Sequence, residues 1–211
     1  MPDEDFATML DIQNVRINTA GAYVCIEEFY VFAVGILPYK GRIPIVRLGG
    51  HREGNETGWQ CAVREVYEEA NIQIHPISPQ TTHLAEWDTR DSELQEIEWH
   101  PTSVQEPKPL LVVRYGGESD THLSLMYLAR AEGLPTPSSE VQGLVFLNRN
   151  DIHRLCTESI TLEQYLDRGG KAMLNGSFDV RMDLEPFAQL RLLDKMLNVQ
   201  PGISRHPFMK V

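Results

Sequence analysis

The chain of 211 residues is poor in cysteine, with only Cys25, Cys61 and Cys156. They are odd in number, widely spaced, and form no Cys-x-x-Cys pair. That pattern excludes a disulfide framework and disfavours a structural zinc site, and it predicts reduced, mostly buried thiols in a cytoplasmic protein. No apolar run approaches the ~20 residues that a bilayer-spanning helix needs, so no membrane partner is expected. The segment 1–10 carries Asp3, Glu4 and Asp5 and lacks a basic, apolar signal region. Basic charge is also scarce: 19 Lys and Arg stand against 30 Asp and Glu, a formal net charge of −11. An acidic chain is unsuited to non-specific nucleic-acid binding, which needs clustered cations to release counterions. The same acidity suits a protein that binds divalent cations, and equally one that is merely kept in solution by charge. Repeats and low-complexity tracts are absent. What remains is a chain that is 42% apolar, enough for one substantial core with an appendage but not for two full domains.

Residues 11–19 alternate imperfectly between polar and apolar and suit an edge strand, and residues 23–37, rich in Val, Ile, Phe and Tyr, read as strand. A turn at 38–41 leads to a strand at 43–48, which Pro44 confines to an edge or an end and Gly49-Gly50 break. Helical spacing of Trp59, Ala62, Val63, Val66 and Ala70 predicts a helix over 56–70 with one apolar stripe. Asn71 stops it, since Asn tolerates the left-handed conformation. Short strands follow at 72–77 and 83–87, then an irregular, proline-punctuated excursion over 88–109. Residues 110–115 and 121–131 form a hairpin about Gly116-Gly117, 133–139 a loop, and 141–147 a strand. The remainder turns helical. Asn150 caps a helix through Cys156, Thr161 and Gln164 make a capping box with Gly169-Gly170 as the stop, and 184–198 is amphipathic with Pro186 in its first turn.

The chemistry is concentrated in residues 50–72, GHREGNETGWQCAVREVYEEANI. Glu65, Glu68 and Glu69 stand at i, i+3 and i+4 and so share a helical face, turned away from the apolar stripe. Like charges at that spacing repel, and the last turns of a helix favour cations. A hard divalent cation would reverse both penalties, because it takes carboxylate oxygens. Glu-x-x-Glu-Glu alone is most often a solvated face. The wider pattern is more specific: Gly50, five residues, Glu56, seven residues, Arg64-Glu65, Val66, one residue, Glu68-Glu69, one residue, Asn71 and Ile72. It resembles the signature of the Nudix hydrolases, departing from it where Asn71 replaces the family's glycine and where Gly54 lies one residue earlier than the glycine usual before the first glutamate. Neither departure removes a charge. Glu53 fits the Gly-Gly-x-x-Glu opening common in the family.

The resemblance implies an α+β fold: a Nudix-type α/β/α sandwich with a mixed β-sheet. It would comprise an N-terminal segment and edge strand at 1–20, a Nudix domain at 21–150, and a helical C-terminal extension at 151–211 packed on that domain. It implies that Glu65, Glu68 and Glu69, with the carbonyl of Gly50, hold Mg²⁺ or Mn²⁺, while Glu56 and Arg64 support the site structurally. One of these glutamates, or Glu140 in the loop before the 141–147 strand, would take a proton from water; Glu118 is a weaker alternative. The implied activity is cleavage of a phosphoanhydride bond in a small-molecule nucleoside diphosphate derivative, and a homodimer is compatible with the family. The competing reading is a Nudix domain that binds a nucleotide-like ligand as a regulator; the full set of carboxylates favours an enzyme, and no basic helix-turn-helix is evident. A calcium-binding EF-hand is excluded by the lack of its Asp-rich, Gly-centred loop. Trp87 and Trp99 could stack on a base, whereas Tyr115 and Phe146 read as core. Arg47, Arg52, Arg90, Arg114 and His51 could touch phosphates, although lone arginines are usually solvated.

Overall fold

The computed structural model describes residues 15–35, 41–87, 93–100, 106–116, 120–177 and 179–199. Its strands are β1 (Arg16–Ile26), β2 (Phe29–Val34), β3 (Ile43–Val46), β4 (Leu48–His51), β5 (Gln73–Ile77), β6 (Thr82–Glu86), β7 (Gln95–Ile97), β8 (Leu111–Tyr115), β9 (His122–Glu132), β10 (Gly143–Leu147), β11 (Lys171–Leu174) and β12 (Leu184–Pro186). Four helices accompany them: α1 (Gly58–Ala70), α2 (Arg149–Thr157), α3 (Leu162–Asp167) and α4 (Ala188–Val199). The strands join one mixed sheet, ordered β11-β10-β2-β1-β9-β8-β6-β7, with β3, β4, β5 and β12 attached beside this path.

The strand period of two sorts β1 and β2 onto two faces. Tyr23, Cys25, Tyr30, Phe32 and Val34 pack with Ile152 and Leu155 of α2, Leu162 and Tyr165 of α3, and Leu190, Leu193 and Met196 of α4. Ala22, Val24, Val31 and Ala33 pack instead with Val66 and Ala70 of α1. Helices therefore cover both faces of a mixed sheet, the α+β layering expected from the sequence. Each fully buried Val or Leu in these layers contributes about 1.5–3 kcal/mol of transfer free energy.

Several expected boundaries move. The run 23–37 is not one strand: a turn at Glu27 and Glu28 folds β1 back on β2 in the register Ile26↔Phe29, with Glu27 at φ 52°. No Gly, Pro or Asn marks that turn, which is why periodicity ran through it. The strand expected at 11–19 begins at Arg16 within the described residues, and it is central, since β1 pairs with β2, β4 and β9. Gly49 and Gly50 do not break a strand; they pair with Gly21 and Ala20 as part of β4. Within the 88–109 excursion β7 adds three residues to the edge.

The C-terminal part is not purely helical. Leu184–Pro186 is strand β12, parallel to β3, and the helix starts only at Ala188. The strand β11 extends the sheet from β10. Asn148, not Asn150, caps α2, in a box with Asp151. Thr161 and Gln164 make the expected box at α3, and Gly169 follows with φ 87°. Among the described residues no helix is long and apolar enough to cross a membrane. The expected turn at 38–41, the hairpin tip at Gly117, Glu118 and Arg90 lie wholly or mainly outside the described residues.

Candidate active site

The helix α1 begins at Gly58, two residues later than the expected start at Glu56. Thr57 is the N-cap: its hydroxyl accepts from the Gln60 amide at 3.2 Å, and Gln60 Oε1 accepts from the Thr57 amide at 2.8 Å. This reciprocal box satisfies two orphan donors of the first turn. Glu56 is thereby left in the loop, where its carboxylate accepts from the Glu53 amide at 2.7 Å and the Glu56 amide donates to the Glu53 carbonyl at 3.2 Å. At the far end Asn71 adopts φ 48°, ψ 39° and its amide closes on the Tyr67 carbonyl, the left-handed stop expected of it.

Arg64 ties loop to helix. Its guanidinium grips Glu56 with two nitrogens at 2.8 and 3.2 Å, and reaches Glu65 at 2.9 Å, Glu68 at 2.8 Å and the His51 carbonyl at 2.9 Å. The bidentate arginine contact holds the Glu56 carboxyl down at about 2. Three of the signature's four glutamates are thus gathered on one cation.

The fourth, Glu69, departs from the expected acidic face. It is 8% exposed, within a buried flank formed by Gly58, Cys61, Ala62, Val66 and Ala70. Trp59 and Val63, expected in the apolar stripe, are only half-buried, so the helix is rotated toward the Glu69 side. Glu69 Oε2 accepts from the Gly49 amide at 2.8 Å. Burial raises this carboxyl to about 7, against the lowering effect of that bond and of Arg47; Glu65 and Glu140 add to the rise. Glu65 is also raised, by burial first, despite its contact with Arg64. A Cβ at Gly50 would overlap the Glu65 carboxylate, so the bare backbone of Gly50 is what lets that group reach β4. The Gly50 carbonyl accepts from the weak donor Cys61 Sγ, at 3.8 Å. Desolvated carboxylates beside a backbone carbonyl are a hard-oxygen donor set. Among the described residues no three His, Cys, Asp or Glu side chains already converge to hold a metal ion; Glu65 and Glu68 point to Arg64, and Glu69 to Gly49.

Glu140 is exposed, but its loop is docked on α1. The amides of Thr136 and Ser138 donate to the carbonyls of Ala70 and Glu69 at 2.9 and 3.0 Å, and Asn71 Nδ2 donates to the Thr136 carbonyl at 3.1 Å. These bonds satisfy free carbonyls of the last helical turn and bring Glu140 close enough to act on the Glu69 charge. Helix C-terminal carbonyls give no sequence signal about which loop will cover them.

The remaining candidates scatter. Trp99 is buried in the core with Ile97, Leu125 and Tyr127. Trp87 is 50% exposed and stands edge-on to Tyr115, itself half-buried. Phe146 is core. Arg114 is paired with Glu86, and His51 is exposed with its carbonyl on Arg64. Arg47 lies near the glutamate cluster, its guanidinium beside Gly49.

A signature-bearing strand, loop and helix set into a helix-flanked mixed sheet is the architecture that the Nudix resemblance implies. No protein-family model matches the chain, and no curated protein does. Among solved structures it is similar to a Nudix hydrolase from Nitrosomonas europaea, at 16% identity over 64% of this chain and 60% of that one, with a TM-score of 0.41. The chain thus spans less than two thirds of that protein's length. It is also similar to a Nudix-family hydrolase from Clostridium perfringens (16% identity, 64% and 82% covered, TM-score 0.43) and to a C. elegans Ap4A hydrolase in a binary complex (16% identity, 67% and 87% covered, TM-score 0.41).

Proposed function

We propose that this chain is a Nudix-type hydrolase that cleaves a phosphoanhydride bond in a nucleoside diphosphate linked to another moiety, using Mg²⁺ or Mn²⁺. The observation that carries the reading is the placement of Glu65 and Glu69 against β4. Glu65 occupies the space left by Gly50 and shares Arg64 with Glu56 and Glu68, Glu69 is held by the Gly49 amide, and both are carboxylates raised by burial. Glu65, Glu68, Glu69 and the Gly50 carbonyl would hold the ion, whose chemistry is to neutralise phosphate oxygens and acidify water. Glu56 and Arg64 fix the loop 51–57 on the helix and so set where Glu65 and Glu68 stand. Glu69, with a proton affinity near neutral in the metal-free protein, and Glu140 on the docked loop are the two groups suited to accept a proton from water.

The test is phosphate release, through a coupled phosphatase, from a panel of nucleoside diphosphate derivatives with Mg²⁺ or Mn²⁺. Wild-type protein is expected to act on one class of the panel. Glu68→Gln and Glu69→Gln are expected to reduce turnover by about two orders of magnitude or more while leaving the fold intact. Silence of folded, metal-loaded protein across the panel would favour a non-catalytic ligand-binding role.

A further inference from the structure

Among the described residues Arg47 has no counter-ion, which is unusual for a cation placed where it is. It follows β3 and is half-buried, yet among the described residues no carboxylate lies within 4.0 Å of it; Arg64, by comparison, has three. The hydrogen bond it does make is a long one, from Nη1 to the Ala20 carbonyl at 3.5 Å. Its guanidinium rests on two glycines that face each other across the β1–β4 ladder, Gly21 and Gly49. A Cβ at Gly21 would come within 3.0 Å of Nη1, and one at Gly49 would overlap it. Two facing residues without side chains therefore make the room that the guanidinium fills. Gly49 is also the residue whose amide holds Glu69, so cation and carboxylate touch the same residue without touching each other. Desolvation lowers the pKa of Arg47, while Glu69, Glu65 and the Tyr23 hydroxyl partly offset it. A planar fork of donors beside a carboxylate cluster, with one hydrogen bond to the described protein residues, matches the oxygens of an anion held at that cluster.

We propose that Arg47 is an anion-binding residue of this site, taking phosphate oxygens of the substrate's diphosphate from its seat on Gly21 and Gly49. The proposal rests on the hydrolase reading for the identity of the substrate, but anion binding can be measured without turnover. The competing role is that of a fixed internal counter-charge for Glu69 and Glu65.

The probe is methylenediphosphonate, which cannot be hydrolysed, titrated calorimetrically into the full chain with Mg²⁺. Arg47→Gln keeps a donor for the Ala20 carbonyl and removes the charge. It is expected to weaken binding by about 10- to 100-fold, with Arg47→Lys intermediate, because charge-assisted bonds to phosphate are lost. On any substrate found, the loss should fall mainly on KM. Wild-type affinity and KM in Arg47→Gln, with only the pH profile displaced, would overturn the proposal and assign the counter-charge role. Should Arg47→Gln fail to fold, phenylglyoxal labelling of wild-type protein, mapped by mass spectrometry, supplies the answer. Saturating methylenediphosphonate is expected to protect Arg47, and a labelling rate indifferent to the anion, or no labelling at all, would overturn it. Arg47-dependent binding in a protein inactive on every substrate would sink the hydrolase reading and leave the anion site standing. Turnover with Arg47-independent binding would do the reverse.

Discussion

The Gly49 amide donates to Glu69 Oε2 at 2.8 Å, fastening the last turn of α1 to the strand that carries Gly50. The bond compensates only part of the cost of burying a carboxylate, and Glu69 is raised from 4.5 to about 7. Between those values the folded protein holds a proton that the unfolded chain has released. The free energy of unfolding therefore falls as pH rises through that window, and the loss is complete above about 7. Relative to Glu69→Gln, metal-free wild-type protein should lose on the order of 3 kcal/mol across it. Denaturation in the presence of chelator at several pH values checks this, and parallel pH slopes in the two proteins would refute it.

Arg64→Ala should cost about 2–3 kcal/mol, since it strands the carboxylates of Glu56 and Glu65 that Arg64 now satisfies. Lysine should not restore the loss, because one ammonium cannot grip Glu56 with two nitrogens and still reach the His51 carbonyl. Urea denaturation of the three proteins decides it, and wild-type stability in Arg64→Lys would show that charge alone suffices.

Gly50→Ala tests the contact between strand and helix from the strand side. The added methyl would overlap the Glu65 carboxylate and displace it. Activity should fall about 100-fold, the scale expected when a group at the chemistry is displaced by about 1 Å. Side-by-side assay and thermal melts should show activity lost well before folding; full activity would mean that Glu65 works from another position.

Asn71 has two roles that glycine and alanine separate. Asn71→Gly eases the left-handed conformation but gives up the bond from Nδ2 to the Thr136 carbonyl, so it should be near neutral. Asn71→Ala loses the bond and keeps the strain, and should cost about 1–2 kcal/mol. Equal stability of the two variants in a melt would show that the backbone conformation contributes little.

What was legible in the sequence was what depends on local spacing. The signature residues Arg64, Glu65, Glu68 and Glu69 lie on a helix as expected, Glu56 lies in the loop before it, and Asn71 ends the helix as its chemistry allows. The start of α1 was legible too, in the capping pair Thr57-x-x-Gln60, inside the expected helix. Illegible were relations that only the sheet creates. Gly49 and Gly50 resemble a strand break in sequence, yet they are strand residues whose missing side chains make room for Arg47 and Glu65. Glu69 shares a helical face with Glu65 by spacing alone, and its burial comes from β4 lying over it. Leu184 to Pro186 carries a helical apolar pattern, but β3 offers a free edge and claims it as a strand.

The central claim is that the carboxylates placed against Gly49 and Gly50 hold a divalent ion. Mn²⁺ binding followed by electron paramagnetic resonance tests it without reference to any substrate. Wild-type protein should bind Mn²⁺, and Glu65→Gln and Glu69→Gln should each weaken that binding by about tenfold or more. Equal Mn²⁺ affinity in all three folded proteins, or none in wild type, would contradict the account.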